Sequence, residues 1–273
     1  MSERNGFQSG VPCWVETWQD DGDAAAAYYS RIFGWEVEQT ASPGDGGSFR
    51  ICRLRGRDVA AIGSPIPDPA PPVPSWTTFI QVDSTEQIVA RVKEAGGNVV
   101  VDPMDSLEGG SIAIVADPAG AAFAVWEQAK HGGAELINEP GAWAMSMLVT
   151  PDSEQAVRFY GEVFGWSTES FGMGGDEIVM FTLPGYVGGE PSQPVPRDVV
   201  ATVAPPAAAE GVPPHWSVDF WVRDPDEIAR ITTEMGGQVL AEPFDIPEIG
   251  MRTAALADPQ GAAFSITRPP GLD

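Results

Sequence analysis

Asp21-Gly-Asp-Ala-Ala-Ala-Ala-Tyr-Tyr29-Ser-Arg-Ile-Phe-Gly-Trp35 returns later in the chain as Asp152-Ser-Glu-Gln-Ala-Val-Arg-Phe-Tyr160-Gly-Glu-Val-Phe-Gly-Trp166. Aligned on the tyrosines, the two stretches lie 160 − 29 = 131 positions apart, about half of the 273 residues. Three more pairs follow in the same order. Ser75-Trp-Thr-Thr-Phe-Ile-Gln-Val82 parallels His215-Trp-Ser-Val-Asp-Phe-Trp-Val222, Ala95-Gly-Gly-Asn-Val99 parallels Met235-Gly-Gly-Gln-Val239, and Asp117-Pro-Ala-Gly-Ala-Ala-Phe123 parallels Asp258-Pro-Gln-Gly-Ala-Ala-Phe264. Four ordered matches make the chain a tandem duplication, and a fixed period sets the architecture before any local reading. From Trp76 to Trp216 the offset is 216 − 76 = 140, so the second copy carries 140 − 131 = 9 extra residues. The Pro- and Ala-rich stretch from Pro191 to Pro214 is the expected place for them.

Within each copy the pattern predicts an apolar strand, then a helix opened by an Asp cap and closed at Phe-Gly, then three or more strands. A shorter helix is predicted over 84–95 and again over 224–235, each ended by Gly-Gly, which turns the chain into a Val-containing strand. Asp-Pro-x-Gly reads as a tight hairpin turn joining Ser111-Ile-Ala-Ile-Val-Ala116 to the strand ending at Trp126, and likewise from Arg252 to Thr267. The predicted class is α+β. Two tandem βαβββ modules are expected over 7–128 and 141–269, with a linker at 129–140 broken by Lys130-His-Gly-Gly133. The Pro-rich stretches, Ser64 to Pro74 and its counterpart, read as lids or bridging loops.

Composition narrows the partners. A formal net charge of -24 repels phosphate backbones and anionic headgroups, which argues against nucleic-acid or membrane partners. No run of about 18 apolar residues is present to span a bilayer, and the N-terminus lacks a basic segment followed by an apolar one, so a cytoplasmic location is expected. Cys13 and Cys52 read as buried thiols in preference to a disulfide. Asp20, Asp21 and Asp23 read as a helix cap with solvated neighbours in preference to a calcium site.

The motifs Asp-x7-Tyr-x3-Phe-Gly-Trp, Gly-Gly-x-Val and Asp-Pro-x-Gly-Ala, each present twice and in order, resemble the vicinal oxygen chelate superfamily. That superfamily includes glyoxalases, bleomycin-resistance proteins and extradiol dioxygenases. The resemblance covers nearly the whole chain, and it is nearest in kind to two-module actinobacterial glyoxalase-like or hydroxylase-type proteins, some of which accompany aromatic polyketide pathways. It implies two tandem βαβββ modules forming curled half-barrel sheets with helices outside, around a cavity. In metal-using relatives three or four His, Gln or Glu side chains point into that cavity, and the corresponding positions here are Trp14, Thr77 and Ala124 in the first copy and Met145, Ser217 and Ser265 in the second. Indole, thioether and hydroxyl groups do not make a Zn, Ni or Fe site, so no metal and no other cofactor is expected. The chain has only two histidines, His131 in the linker and His215 at a strand mouth.

Strand alternation gives the cavity-facing sets. In the first copy these are Trp14, Glu16, Trp18, Thr77, Phe79, Gln81, Ala124 and Trp126. In the second they are Met145, Met147, His215, Ser217, Asp219, Trp221, Ser265 and Thr267, with Arg252 on the neighbouring strand. Trp35 and Trp166, beside the helix ends, read as core; Trp14, Trp126 and Trp221 read equally as core or as platforms for a planar ligand. Met145 and Met147 read as adaptable filler. Glu16 and Asp219 are the candidate proton-transfer groups, against a solvent-facing Glu16 and an Asp219 paired with Arg252. His215 and Asp219 share a face but sit about 13 Å apart along a strand, too far to be a dyad.

The expected function is metal-independent binding of an aromatic or polycyclic metabolite, as an accessory tailoring, self-resistance or sequestration protein, in a monomer or homodimer. The alternatives are a cofactor-free cyclase, isomerase, epimerase or hydroxylase component using a pocket carboxylate, and a metal-dependent glyoxalase or dioxygenase.

Overall fold

The computed structural model describes residues 3–41, 47–65, 74–106, 110–129, 132–173, 176–188 and 197–272. The first half runs β1 (Pro12–Trp18), α1 (Gly22–Phe33), β2 (Glu36–Ala41), β3 (Ser48–Leu54), β4 (Arg57–Ser64), β5 (Ser75–Gln81), α2 (Thr85–Glu94), β6 (Asn98–Asp105), β7 (Gly110–Ala116) and β8 (Ala122–Gln128). The second repeats it as β9 (Trp143–Val149), α3 (Ser153–Phe164), β10 (Ser167–Met173), β11 (Asp176–Thr182), β12 (Val199–Val203), β13 (His215–Trp221), α4 (Pro225–Glu234), β14 (Gln238–Ile246), β15 (Met251–Ala257) and β16 (Ala263–Arg268). The strand, helix, three-strand order thus occurs twice within each half. Each half is one eight-stranded mixed sheet, in the orders β2-β3-β4-β1-β5-β8-β7-β6 and β10-β11-β12-β9-β13-β16-β15-β14. At the centre β1 and β5 are antiparallel, and each lies parallel to the last strand of its own unit, β4 or β8. The second sheet repeats that arrangement.

The helices begin and end where their local chemistry requires. Asp21, Ser84, Asp152 and Asp224 each accept a backbone N–H of the first turn, which satisfies donors a helix start leaves open. Gly34 and Gly165 close α1 and α3 in the left-handed region at φ 74°, a conformation that costs a side chain with a Cβ. Asp23 is free of cap duty and pairs with Arg50.

The sheets pack against each other through β5, β8, β13 and β16, with Thr78 Oγ1 and Ser146 Oγ 2.7 Å apart between them. The first helix of each half, α1 or α3, packs its aromatic side chains against the other half, whereas α2 and α4 lie on their own sheets. Phe33 of α1 lies tilted against Phe220 with ring centroids 4.7 Å apart, and Tyr28 hydroxyl meets Thr232 Oγ1 of α4 at 2.9 Å. At the centre of each helix-on-sheet contact is a buried polar bridge. Tyr29 hydroxyl donates to Asp258 Oδ2 at 2.8 Å and accepts from Trp76 Nε1 at 3.0 Å. In mirror image, Tyr160 hydroxyl donates to Asp117 Oδ2 at 3.2 Å and accepts from Trp216 Nε1 at 2.9 Å. The other oxygen of each aspartate holds its own Asp-Pro-x-Gly turn, Asp117 Oδ1 taking the N–H of Ala119 and Ala121, and Asp258 Oδ1 those of Gln260 and Ala262. Trp35 and Trp166 are core, as expected, and each indole N–H crosses to the other half, to the Gly141 and Gly10 carbonyls.

The loops depart from the sequence reading at one place. The extra residues of the second copy lie between β11 and β12, over 183–198, where the first copy has only the Arg55-Gly56 turn; the predicted loop over 191–214 therefore contains strand β12 and a 3-10 turn at Pro206–Ala209. Its Pro-rich part at 189–196, like 66–73 of the first copy, lies outside the described residues, as does His131. The connection after β8 is packed rather than free: Ala134, Leu136 and Ile137 are buried, and Ala134 and Glu135 donate to the carbonyls of Cys13 and Asp58. Cys13 and Cys52 are unbonded and buried, and burial pushes both thiols well up, which leaves them inert.

Each bridge tyrosine should therefore carry stability across the duplication. Tyr29→Phe and Tyr160→Phe each take one donor from a buried carboxylate and leave a buried indole N–H without its acceptor, and each is expected to cost about 1–3 kcal/mol. Urea denaturation followed by circular dichroism checks this, and a neutral effect at both positions would show that the bridges hold nothing.

Candidate binding cavity

Alternation along β13 sends Trp216, Val218 and Phe220 to the packed face and Ser217, Asp219 and Trp221 to the open one. The open face of the second sheet forms a cavity of about 960 Å³, a size suited to a drug-sized organic molecule. Of the second-copy residues singled out from sequence, Met145, Met147, Ser217, Asp219, Trp221, Ser265 and Thr267 line it together. His215 does not: at the start of β13 its Nδ1 sits 2.8 Å from the Pro213 carbonyl oxygen, because the Pro213-Pro214 turn draws the ring back over its own loop.

Strand register places these groups closely. Asp219 has Met145 on one side, across β9, and Ser265 on the other, across β16; Ser217 faces Met147 and Trp221 lies beside Thr267. Thr267 Oγ1 donates to Asp219 Oδ1 at 2.7 Å and lies 3.1 Å from Thr253 Oγ1 on β15. Desolvation by the cavity wall pushes the Asp219 carboxyl up to about 7, only partly offset by the Thr267 hydroxyl. Arg252 gives it no support: that guanidinium pairs with Asp226 and Asp245 on the outside, so the alternative reading of Asp219 as paired with Arg252 does not hold. A half-buried aspartate near neutral pKa can accept a hydrogen bond from a ligand or take a proton from carbon beside a carbonyl.

Sequence reading missed the far wall, because it comes from strands and segments with no repeat signature. Ile178, Met180 and Val199 line it from β11 and β12, Phe244 from β14, and Arg4 and Phe7 from the N-terminal segment. Trp143 also lines it, and its Nε1, like Arg4 Nε, is buried with no acceptor among the described residues. Both atoms are closed to solvent, so they reach a ligand only if the wall shifts.

The first sheet carries different chemistry at the equivalent positions. Trp14 pairs with Phe79 and Glu16 with Thr77, where the second half has Met145 with Asp219 and Met147 with Ser217. Trp14, Phe79 and Trp126 are 3%, 5% and 4% exposed, Phe79 and Trp126 meeting edge to face at 6.2 Å. Ala124 is buried beside Phe79. Glu16 does not face solvent as one reading allowed: it accepts from Trp18 Nε1 at 2.9 Å, and burial pushes it up to about 7, the Trp18 and Trp14 hydrogen bonds opposing. The Trp18 ring in turn lies over Gly63, where any Cβ would collide with it.

Among the described residues no group of three or more His, Cys, Asp or Glu is placed to hold a metal ion. The donors available on the open faces do not fit one either. Glu16 sits among Trp14 and Thr77, Asp219 among Met145, Ser217 and Ser265, and one carboxylate with hydroxyls and a thioether does not make a three-ligand catalytic site.

Comparison with known proteins agrees with this fold. Residues 14–125 match the Glyoxalase/Bleomycin resistance protein/Dioxygenase superfamily model, and residues 133–267 match the Glyoxalase-like domain model. The chain is 37% identical over 273 residues to "Putative glyoxylase CFP32" of Mycobacterium tuberculosis, covering 98% of each chain. It is 35% identical over 272 residues to the anthracycline biosynthesis protein DnrV of Streptomyces peucetius, covering 95% of this chain and 94% of that one. The Mn(II)-bound glyoxalase of Novosphingobium aromaticivorans shares the fold with a TM-score of 0.62 at 17% identity, over 96% of this chain and 82% of its own. With both halves matched and relatives aligned end to end, the chain belongs to the glyoxalase, bleomycin resistance protein and dioxygenase superfamily.

Proposed function

We propose that the chain binds a planar aromatic or polycyclic metabolite in the cavity of its second half, without a resident metal, as an accessory, self-resistance or sequestration protein of secondary metabolism. The observation that carries this reading is the cavity itself: about 960 Å³, walled largely by Met, Ile, Val and aromatic side chains, with Asp219 and a few hydroxyls on its sheet face and with Arg4, Glu169, Arg197, Asp245 and Glu248 also in its lining. Flat apolar walls with few polar points suit flat ligands with few polar groups. Support comes also from DnrV and from DauV of Streptomyces sp. strain C5, both named as anthracycline biosynthesis proteins and aligned with nearly the whole chain. No helix among the described residues is long and apolar enough to cross a membrane.

A second reading is favoured by Asp219 alone. Its carboxyl, held near 7 by burial, is suited to general-base work at physiological pH, and a cofactor-free cyclase, isomerase, epimerase or hydroxylase component needs little more than one such group beside a bound carbonyl compound. In that case proton transfer would contribute roughly two to four powers of ten in rate.

Trp143 and Trp221 line the cavity, so titration with a panel of aromatic polyketides is expected to quench tryptophan fluorescence saturably, with the signal reduced in Trp221→Phe. No quenching by any member would count against the binding reading. For the enzymatic reading, turnover is expected to rise as pH climbs through about 7 and to vanish in Asp219→Asn while binding persists within a few-fold.

The pKa shift also has a stability consequence. Because the folded Asp219 carboxyl titrates above its ordinary value, ionising it costs stability that accumulates as pH rises from about 4 to 7. Asp219→Asn is expected to raise Tm more at pH 8 than at pH 5, and an equal effect at both would contradict a desolvated carboxylate.

A further inference from the structure

Hydroxyls of the second cavity gather on three adjacent strands. Ser217 and Asp219 of β13, Ser265 and Thr267 of β16 and Thr253 of β15 form one strip, and on the other side of Asp219 lie Met145, Met147 and Met180, with Thr202 between the last two. Asp219 stands at the boundary, with Met145 on one side and Ser265 on the other. Its Oδ1 is taken by the Thr267 hydroxyl. Its Oδ2 has no protein hydrogen bond among the described residues. Above about pH 7, where Asp219 is ionised, its carboxylate only accepts, so the group that completes it there must be a donor.

We propose that this cavity selects planar aromatic molecules bearing free hydroxyl groups along one edge, that edge donating to Asp219 Oδ2 and lying on the Ser217 and Ser265 hydroxyls. The proposal rests on the aromatic-binding reading above and names the chemical class it takes. The apolar face of such a ligand meets the methionines, whose flexible thioethers adapt to flat rings. Methylating the hydroxyls removes the donor and leaves a partly desolvated carboxylate without a partner. Sites built to hydrogen-bond a substrate hydroxyl reject analogues that lack it for this reason. A carboxylated ligand fares worse, since the lining holds four carboxylates, Glu169, Asp219, Asp245 and Glu248, against two guanidiniums, Arg4 and Arg197. The first half cannot make the same choice at the equivalent place, where Phe79 stands and the nearest carboxylate, Glu16, is already bonded by Trp18.

The test uses three probes that differ only at the polar edge: 2,7-dihydroxynaphthalene, 2,7-dimethoxynaphthalene and 2-naphthoate, titrated calorimetrically at pH 8 into the full chain and into Asp219→Asn. The expected result is that the dihydroxy compound binds about 10- to 100-fold more tightly than the dimethoxy compound, with 2-naphthoate weakest. In Asp219→Asn that preference falls to about threefold or less, because no carboxylate is left stranded by the dimethoxy compound and the amide donates to a methoxy oxygen, and a circular dichroism spectrum matching that of the unaltered chain shows that the variant is folded. Equal binding of the dihydroxy and dimethoxy compounds to the unaltered chain overturns the selectivity and leaves the aromatic-binding reading standing. A preference that survives intact in Asp219→Asn overturns the role given to Asp219. Failure of all three probes to bind overturns the aromatic-binding reading and the selectivity with it.

Discussion

Two buried hydrogen bonds, from Tyr29 to Asp258 and from Tyr160 to Asp117, decide how the halves of this molecule meet. Each aspartate does two jobs at once, closing its own hairpin turn with one oxygen and anchoring the helix of the other half with the second. Burying a carboxylate costs several kcal/mol unless its acceptors are satisfied, so the arrangement is all or nothing. Gln19 completes the set at Asp258 by donating from Nε2 at 2.8 Å. Once the helices are seated this way, the two sheets pack on one face and turn their other faces outward, which is what leaves the second sheet a cavity of its own.

The duplication then allowed the two open faces to diverge without disturbing that frame. At matched register positions the first face carries Trp14, Phe79 and Trp126, and the second carries Met145, Asp219 and Thr267. The first is a close-packed aromatic surface whose carboxylate is bonded by an indole. The second keeps its carboxylate half-bonded at the seam between a thioether wall and a hydroxyl strip. Neither set resembles the donor chemistry a divalent metal requires.

Much of this was legible in the chain. The Asp caps, the Phe-Gly stops and the Gly-Gly turns are local signals, and local signals place helix ends well. Period-two alternation named seven of the cavity residues from Met145 to Thr267 because those strands pair in regular register. What could not be read depends on contacts distant in sequence. Nothing near Tyr29 announces Asp258, 229 positions away. Arg252 looked like a partner for Asp219, yet the edge-strand neighbour Asp245 and the helix residue Asp226 claim it first. The proline content around Pro191 hid strand β12, whose Val-Val-Ala-Thr-Val run is short and whose parallel partner β9 lies far upstream. His215 was misplaced because alternation says nothing about a preceding Pro-Pro turn.

The most direct check is a high-resolution crystal structure of the chain purified from its native host, with difference density inspected in both open faces. Flat organic density in the second cavity, against Trp221 and within hydrogen-bond reach of Asp219 Oδ2, with no coordinated ion, is the expected result. A metal ion held by side chains of either open face, or a co-purified ligand that leaves Asp219 untouched, would contradict the assignment of this cavity as a metal-free site for hydroxylated aromatic molecules.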